Sequence, residues 1–244
     1  MPDPLSQLLA SRDWLMADGA TGTNLFNMGL ASNVAPELWN IDQPDAVRRL
    51  YRDSVAAGAD LFLTNTFGGN ASRLRLHGAA HRVREVNRVG AAMARDIADA
   101  SGRTVVVAGN IGPTGEIMAP MGSLSHASAV AMFHEQAEAL KDGGADVLWV
   151  ETISSEQEFR AAAEAARLAE MPWCGMMSFD TAGRTIMGVT SAQLAQALSG
   201  ALSGSTVGTY REGNELIEMQ VRGAERERTQ LESLRNLMVP TASG

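Results

Sequence analysis

The feature that most constrains this chain is an alternation. Short apolar runs recur between longer stretches of helical periodicity, and each run ends in small or polar residues. Trp14 to Asp18, Leu61 to Thr64, Thr104 to Ala108, Asp146 to Val150 and Trp173 to Phe179 read as strands. Helices are predicted over Pro44 to Ala57, His81 to Ala100, Ser125 to Asp142, Ser155 to Ala169 and Ser191 to about Leu198. Pro44 suits a first helical turn, and Val47, Leu50, Tyr51 and Ser54 fall on one face. Ser125 can cap its helix, and Ser155-Glu156-Gln157-Glu158 has the form of a capping box. Continuous apolar strands between amphipathic helices predict a parallel sheet covered by helices, an α/β fold.

The polar residues Asp18, Thr64, Asn65, Asn110, Glu151 and Asp180 all fall just after strands. In a barrel or a doubly wound sheet, that edge carries the chemistry. No G-x-G-x-x-G follows the first strand and no P-loop is present, which favours a (β/α) barrel over a nucleotide-binding sheet. The run Met16-Ala17-Asp18-Gly19-Ala20-Thr21-Gly22-Thr23 places an Asp at a strand end, ahead of glycines that let the backbone approach a ligand. A carboxylate there can hold an ammonium, and free N–H groups in the turn can hold a carboxylate, a pair suited to an amino acid. The plainer alternatives are that Asp18 caps the turn and that Glu151 pairs with a basic neighbour.

The 244 residues, 45% hydrophobic and 20% charged, suffice for one sizeable domain or two small ones. A net charge of −8 with no basic patch argues against nucleic acid or anionic membrane as partners. No apolar stretch reaches the roughly 18 residues of a spanning helix. The N-terminus lacks a basic region followed by an apolar core, so a cytoplasmic location is expected. Cys174 is the only cysteine, which precludes an intrachain disulfide and reads as a small buried hydrophobe. His77, His81, His126 and His134 lack ligand spacing and read as surface or helix-packing residues, so no metal site is assigned. From Ser199 the texture changes. Residues 199–208 read as a linker, Tyr210 to Gly223 as a polar strand and Ala224 to Leu237 as a charged helix. The expected organisation is a barrel domain over 1–198, a junction over 199–208 and a separate tail over 209–244.

Four segments in order carry a resemblance: Asp18 to Thr23, Thr64-Asn65-Thr66-Phe67, Gly109 to Gly115, and Gly144-Ala145-Asp146 through Glu151-Thr152. Over roughly residues 5–198 the chain resembles the homocysteine S-methyltransferase family. Ala35 to Asn40 and Ser178 to Thr185 look most like its bacterial betaine-type members. The resemblance implies a (β/α)8-type barrel, here truncated to about five βα units, and methyl transfer from betaine or a similar donor to the homocysteine thiol, giving methionine. It implies that Asp18 and Glu151 bind the substrate ammonium, and that Gly19 and Ala20 offer backbone groups to its carboxylate. Thr64, Asn65 and Phe67 would line the pocket floor, and Asn110 the donor side. Trp39 would face a quaternary ammonium donor, since aromatic faces attract such cations.

The family also implies zinc, which stabilises the thiolate that attacks. Its cysteine ligands lie in Asn-Cys-Gly and Gly-Gly-Cys-Cys-Gly segments that this chain lacks. A catalytically inactive remnant that only binds an amino acid is therefore the alternative expectation. The tail over about 208–244 looks like a fragment of the porter region of resistance-nodulation-division efflux permeases, which implies a junction of two unrelated pieces; a third expectation is an interaction protein that uses the tail as a docking strand. An open barrel edge would favour a homo-oligomer.

Overall fold

The computed structural model describes residues 3–179, 205–212 and 215–221. The expected helix from Ser191, the charged run from Ala224 and Asp180 lie outside the described residues. Residues 1–177 and 178–244 form two separate compact units.

The first unit opens with α1 (Pro4–Ser11), where the Asp3 carboxylate accepts the Ser6 N–H at 2.9 Å. Then come α2 (Thr21–Asn27), α3 (Trp39–Asp42) and α4 (Pro44–Ala56). From β1 (Leu61–Leu63) the βα rhythm is regular: α5 (Ala71–Arg75), α6 (Val83–Ala100), β2 (Val106–Ile111), α7 (His126–Asp142), β3 (Val147–Ile153), α8 (Glu156–Leu168) and β4 (Trp173–Met177). The four strands pair in parallel in the order β1-β2-β3-β4. Ser125 and Ser155 cap α7 and α8, each hydroxyl accepting the N–H three residues on; the capping box read at Ser155 is not closed, because Glu158 Oε1 takes the Thr114 N–H and hydroxyl instead. Val47, Leu50 and Tyr51 of α4 are buried on one face, while Ser54 is half-buried.

β1 and β2 are buried on both faces and apolar but for Asn110, whereas β3 carries Glu151 and Thr152 near its end and β4 is half-buried to exposed. Phe62 and Val107 pack under α4 and α6 with Leu25, Tyr51 and Met93. Leu148 and Val150 pack under α7 and α8 with Phe133, Leu140 and Ala161. The alternate residues Leu61, Val106, Ala108 and Val147 gather on the opposite face, closed at one end by Leu8 of α1. This is the period-2 division of strands buried on both sides.

Three expectations change. The strand over 14–18 reduces to one parallel bridge, Ala17 to Leu61. Asp60 explains the shortening: its carboxylate takes the Met16 N–H at 3.0 Å and the Arg12 guanidinium at 2.6 Å, leaving Trp14 and Met16 exposed at the sheet margin. β2 and β3 instead run longer than expected, so Asn110 and Glu151 lie inside strands. In the second unit, β5 (Ser205–Glu212) and β6 (Glu215–Val221) form an antiparallel pair. Strand β5 thus begins within the stretch read as a linker, and the run from Tyr210 is divided between two strands.

Candidate functional site

A cavity of about 580 Å³ opens at the carboxyl ends of the strands. Asp18, Gly19, Ala20, Thr64, Asn65, Phe67, Asn110 and Glu151 all line it. The sheet delivers them together because each follows or ends a parallel strand, or the bridge at Ala17. Trp39 does not line the cavity. The α3 turn carries it against the core around Leu25, Leu50 and Tyr51, where it is partly buried.

Asp18 is held rather than mobile. Its Oδ2 accepts the Leu63 N–H at 3.1 Å, and its own N–H reaches the Leu61 carbonyl at 3.2 Å. It does not cap α2, whose N-cap residue Ala20 has no side-chain cap. Its Oδ1 is buried without a hydrogen-bond partner among the described residues. Burial pushes the Asp18 carboxyl up to about 6; the Leu63 N–H opposes the shift and the charge of Glu151 adds to it. Glu151 makes no ion pair or hydrogen bond with a described residue. It precedes Thr152, a β-branched residue at φ 61°, at a register shift between Val150 and Ile153. That irregularity redirects the strand at the cavity wall.

Asn110 presents a second orphan. Its N–H and carbonyl are bonded to Thr64 Oγ1 at 3.0 Å and by Thr66 Oγ1 at 2.8 Å, while its side-chain Oδ1 is buried without a partner. Thr64 and Asn65 border the cavity but spend their polar groups inward. Thr64 Oγ1 lies 2.6 Å from Thr66 Oγ1, and Asn65 Nδ2 donates to the Pro36 carbonyl and Asn40 Oδ1. Behind them Asn87 and Gln136 donate to the Gly69 and Thr66 carbonyls. These bonds tie the buried polar layer to the floor, with Gln136 Oε1 its one side-chain atom buried without a partner among the described residues. Phe67 is seated on Gly112, where a Cβ would lie 2.6 Å from the ring.

Among the lining residues that sequence reasoning missed, three are titratable: Glu37, Arg73 and His77. Glu37 is only 4% exposed, and its Oε1 accepts the Gly68 N–H at 2.6 Å. Burial raises its carboxyl, while that N–H and the facing Arg73 and His77 oppose the rise. An isolated Glu beside Pro36 gives little signal in sequence, and Arg73 sits in a polar stretch that looks like any solvated helix.

The sequence model described as homocysteine S-methyltransferase matches residues 15–209. The chain is 32% identical over 189 residues to methionine synthase of Mycobacterium tuberculosis, covering 71% of this chain and 16% of that one. It is 30% identical over 179 residues to homocysteine S-methyltransferase of Escherichia coli, covering 66% and 57%. It therefore spans about one sixth of the first relative and a little over half of the second. Among solved structures, the oxidized form of the homocysteine methyltransferase MmuM from Escherichia coli superposes with a TM-score of 0.65 at 26% identity, covering 82% of this chain and 74% of that one. Its metallated form gives a TM-score of 0.64 at 26% identity, over 81% and 74%. The fold is thus α/β, of the barrel type of these enzymes.

Proposed function

The chain belongs to the homocysteine S-methyltransferase family, and from that premise we propose that the cavity beside Asp18 binds the amino-acid end of homocysteine as methyl acceptor. One observation carries this reading. Two buried acceptor oxygens, Asp18 Oδ1 and Asn110 Oδ1, lack partners on the wall of one cavity that Glu151 also lines. An α-ammonium brings three N–H donors and a positive charge to such a place. Gly19 and Ala20 border the cavity with backbone groups for the carboxylate, and Phe67 closes the floor. In the transfer, the thiol loses its proton, a sulfur–methyl bond forms, and the donor's bond to that methyl breaks. A betaine-type donor leaves as a tertiary amine.

The family implies a metal at the thiol, and one relative is solved in a metallated form. Among the described residues no three His, Cys, Asp or Glu side chains converge as ligands. Cys174, the only cysteine, stands in β4 paired with Trp149 of β3, and is not in the cavity lining. These residues do not fit a tetrahedral thiolate site. The single cysteine favours a second reading, in which this chain binds the amino acid without turning it over.

Calorimetric titration with homocysteine tests the acceptor assignment. Binding to the unaltered chain, lost in Asp18→Asn, is expected; equal affinity of the two proteins would sink it. The finer parts of the reading are a betaine-type donor, a cytoplasmic setting, self-association through the sheet margin, and a tail from 209 foreign to the family. The family match runs through residue 209, and so takes in the stretch over 199–208 read as a junction. The tail's likeness to an efflux-permease fragment belongs to the same reading.

A further inference from the structure

Beyond the bridge at Ala17, the outer edge of β1 is finished by side chains. The Thr64 N–H goes to the Ala108 carbonyl of β2, so by strand alternation residues 61, 63 and 65 turn their backbone groups the other way. On that edge the Leu61 N–H meets the Met16 carbonyl. The next two N–H groups meet side chains: Leu63 donates to Asp18 Oδ2 at 3.1 Å, and Asn65 donates to the Tyr51 hydroxyl at 2.7 Å. At about 3.3 Å per residue those two N–H groups stand ~6.6 Å apart, with the Leu63 carbonyl between them. The Asp18 carboxylate and the Tyr51 hydroxyl are therefore neighbours along one edge, the first from the N-terminal segment and the second from α4.

Each has a valence left over. Asp18 Oδ1 is buried without a partner among the described residues. Tyr51 is 1% exposed, with its ring against Phe62 at a centroid distance of 5.3 Å. Its oxygen accepts the Asn65 N–H, while its own hydrogen meets no acceptor among the described residues. A phenol donates as well as accepts, and a buried donor left unused is costly. We propose that Tyr51 is a positioning residue of the acceptor site, whose O–H reaches Asp18 Oδ1 through one bridging water and holds the carboxylate in its ionised, ammonium-binding form. The proposal rests on the cavity binding an α-ammonium at Asp18. A span of ~6 Å is that of two hydrogen bonds of about 2.8 Å through a single water. That water accepts from Tyr51 and donates to Asp18 Oδ1 and the Leu63 carbonyl, the usual three bonds of a buried water. A carboxylate oxygen accepts more than one hydrogen bond, so the ammonium and the water do not compete. Burial pushes the Tyr51 phenol up, the Asn65 N–H opposes the rise, and the charge of Asp18 adds to it, so the hydroxyl keeps its proton. The other ionisable groups on the cavity wall are Glu151 from β3, whose charge acts on Asp18, and Glu37, Arg73 and His77.

The first test reads the hydroxyl with no ligand present. Tyr51 and Tyr210 are the only tyrosines, so in a full chain labelled with 3-fluorotyrosine the Tyr210→Phe variant assigns the Tyr51 fluorine resonance. That resonance is expected to move with a midpoint at about pH 6 and to lose the titration in Asp18→Asn. A resonance that stays flat would overturn the proposal. So would a titration that survives Asp18→Asn, because it would then report Glu37, Glu151 or His77. The second test is calorimetric titration with homocysteine across pH. Tyr51→Phe should raise the midpoint of binding by about one unit, so that affinity falls about threefold at pH 6.5 and stays within about twofold at pH 8.5. Asn40 Nδ2 holds the Asn65 carbonyl at 2.9 Å, so Asn40→Ala loosens the same segment and should leave the midpoint in place. A loss in Tyr51→Phe that is equal at every pH, or a midpoint moved as far by Asn40→Ala, would overturn the proposal and leave Tyr51 as an anchor of Asn65 alone. Should Tyr51→Phe not fold, the fluorine titration decides, since it keeps the hydroxyl. A chain in which Tyr51 follows Asp18 but homocysteine does not bind would overturn only the reading of the cavity as an acceptor site.

Discussion

At the scale of single residues, Asp18 couples binding to stability with opposite signs. A carboxyl whose folded value of about 6 lies above its ordinary value of 3.8 favours the protonated folded state. Its contribution to stability is present below the unfolded value and is lost as pH rises through about 6. Asp18→Asn removes the buried charge and retains an acceptor for the Leu63 N–H. We expect it to stabilise the chain by about 1–3 kcal/mol at pH 7.5, read as a higher Tm, while abolishing homocysteine binding. A lower Tm would show that the ionised carboxylate is structurally required. The same group sets the pH dependence of binding. Ammonium binding needs the ionised form, so affinity should fall as pH drops below about 6, by up to ~10-fold per unit, and should be flat above about 7. Affinity that holds level down to pH 5 would remove Asp18 from the ammonium contact. Asp18 is legible in sequence because a strand end, an Asp and a glycine turn coincide there. Glu37, Arg73 and His77 are not legible: what places them is a cavity made by distant chain segments, and no local pattern records that.

At the scale of elements, the strands were readable wherever both faces are buried, as in β2, whose six residues are all buried. The reading failed at the ends, where a partner decides. Trp14 to Met16 has strand composition, yet Asp60 takes the Met16 N–H and regular pairing is confined to Ala17. The apolar run stops at Val150, so the sequence places Glu151 after β3, while the chain stays extended to Ile153 around an irregularity at Thr152. A threonine in the left-handed region costs of order 1–3 kcal/mol. Thr152→Gly should therefore raise stability by about 1 kcal/mol and leave homocysteine affinity within about twofold, since glycine keeps the turn that aims Glu151. A large loss of affinity would mean that the threonine side chain itself meets the ligand. Gly112 makes the opposite case. Its Cβ position lies 2.6 Å from the Phe67 ring, so Gly112→Ala should destabilise by about 1–3 kcal/mol, as overpacking does, and weaken binding by displacing the cavity floor. An unchanged Tm would mean that the ring can move aside freely.

At the scale of the whole molecule, the question is whether the proposed acceptor cavity, without a cysteine in its lining, still recruits a metal. The parts of the cavity come from the first strands of the fold: the Asp18 turn, the Thr64 to Phe67 segment after β1, Asn110 of β2 and Glu151 of β3, all backed by the Asn40, Asn87 and Gln136 layer. None of these groups is a thiolate. Zinc prefers sulfur and imidazole in a closed tetrahedral set, and the oxygen donors at the acidic end, Asp18 and Glu151, are two where three or four are needed. Elemental analysis of the purified chain should therefore give well under ~0.2 zinc per chain, with or without homocysteine, while calorimetry still detects homocysteine. About one zinc per chain would overturn the binding-only reading and mean that other donors rebuild the site. Metal that appears only with homocysteine would show the substrate's own sulfur completing the ligand set, and a betaine-dependent assay for methionine would then decide turnover.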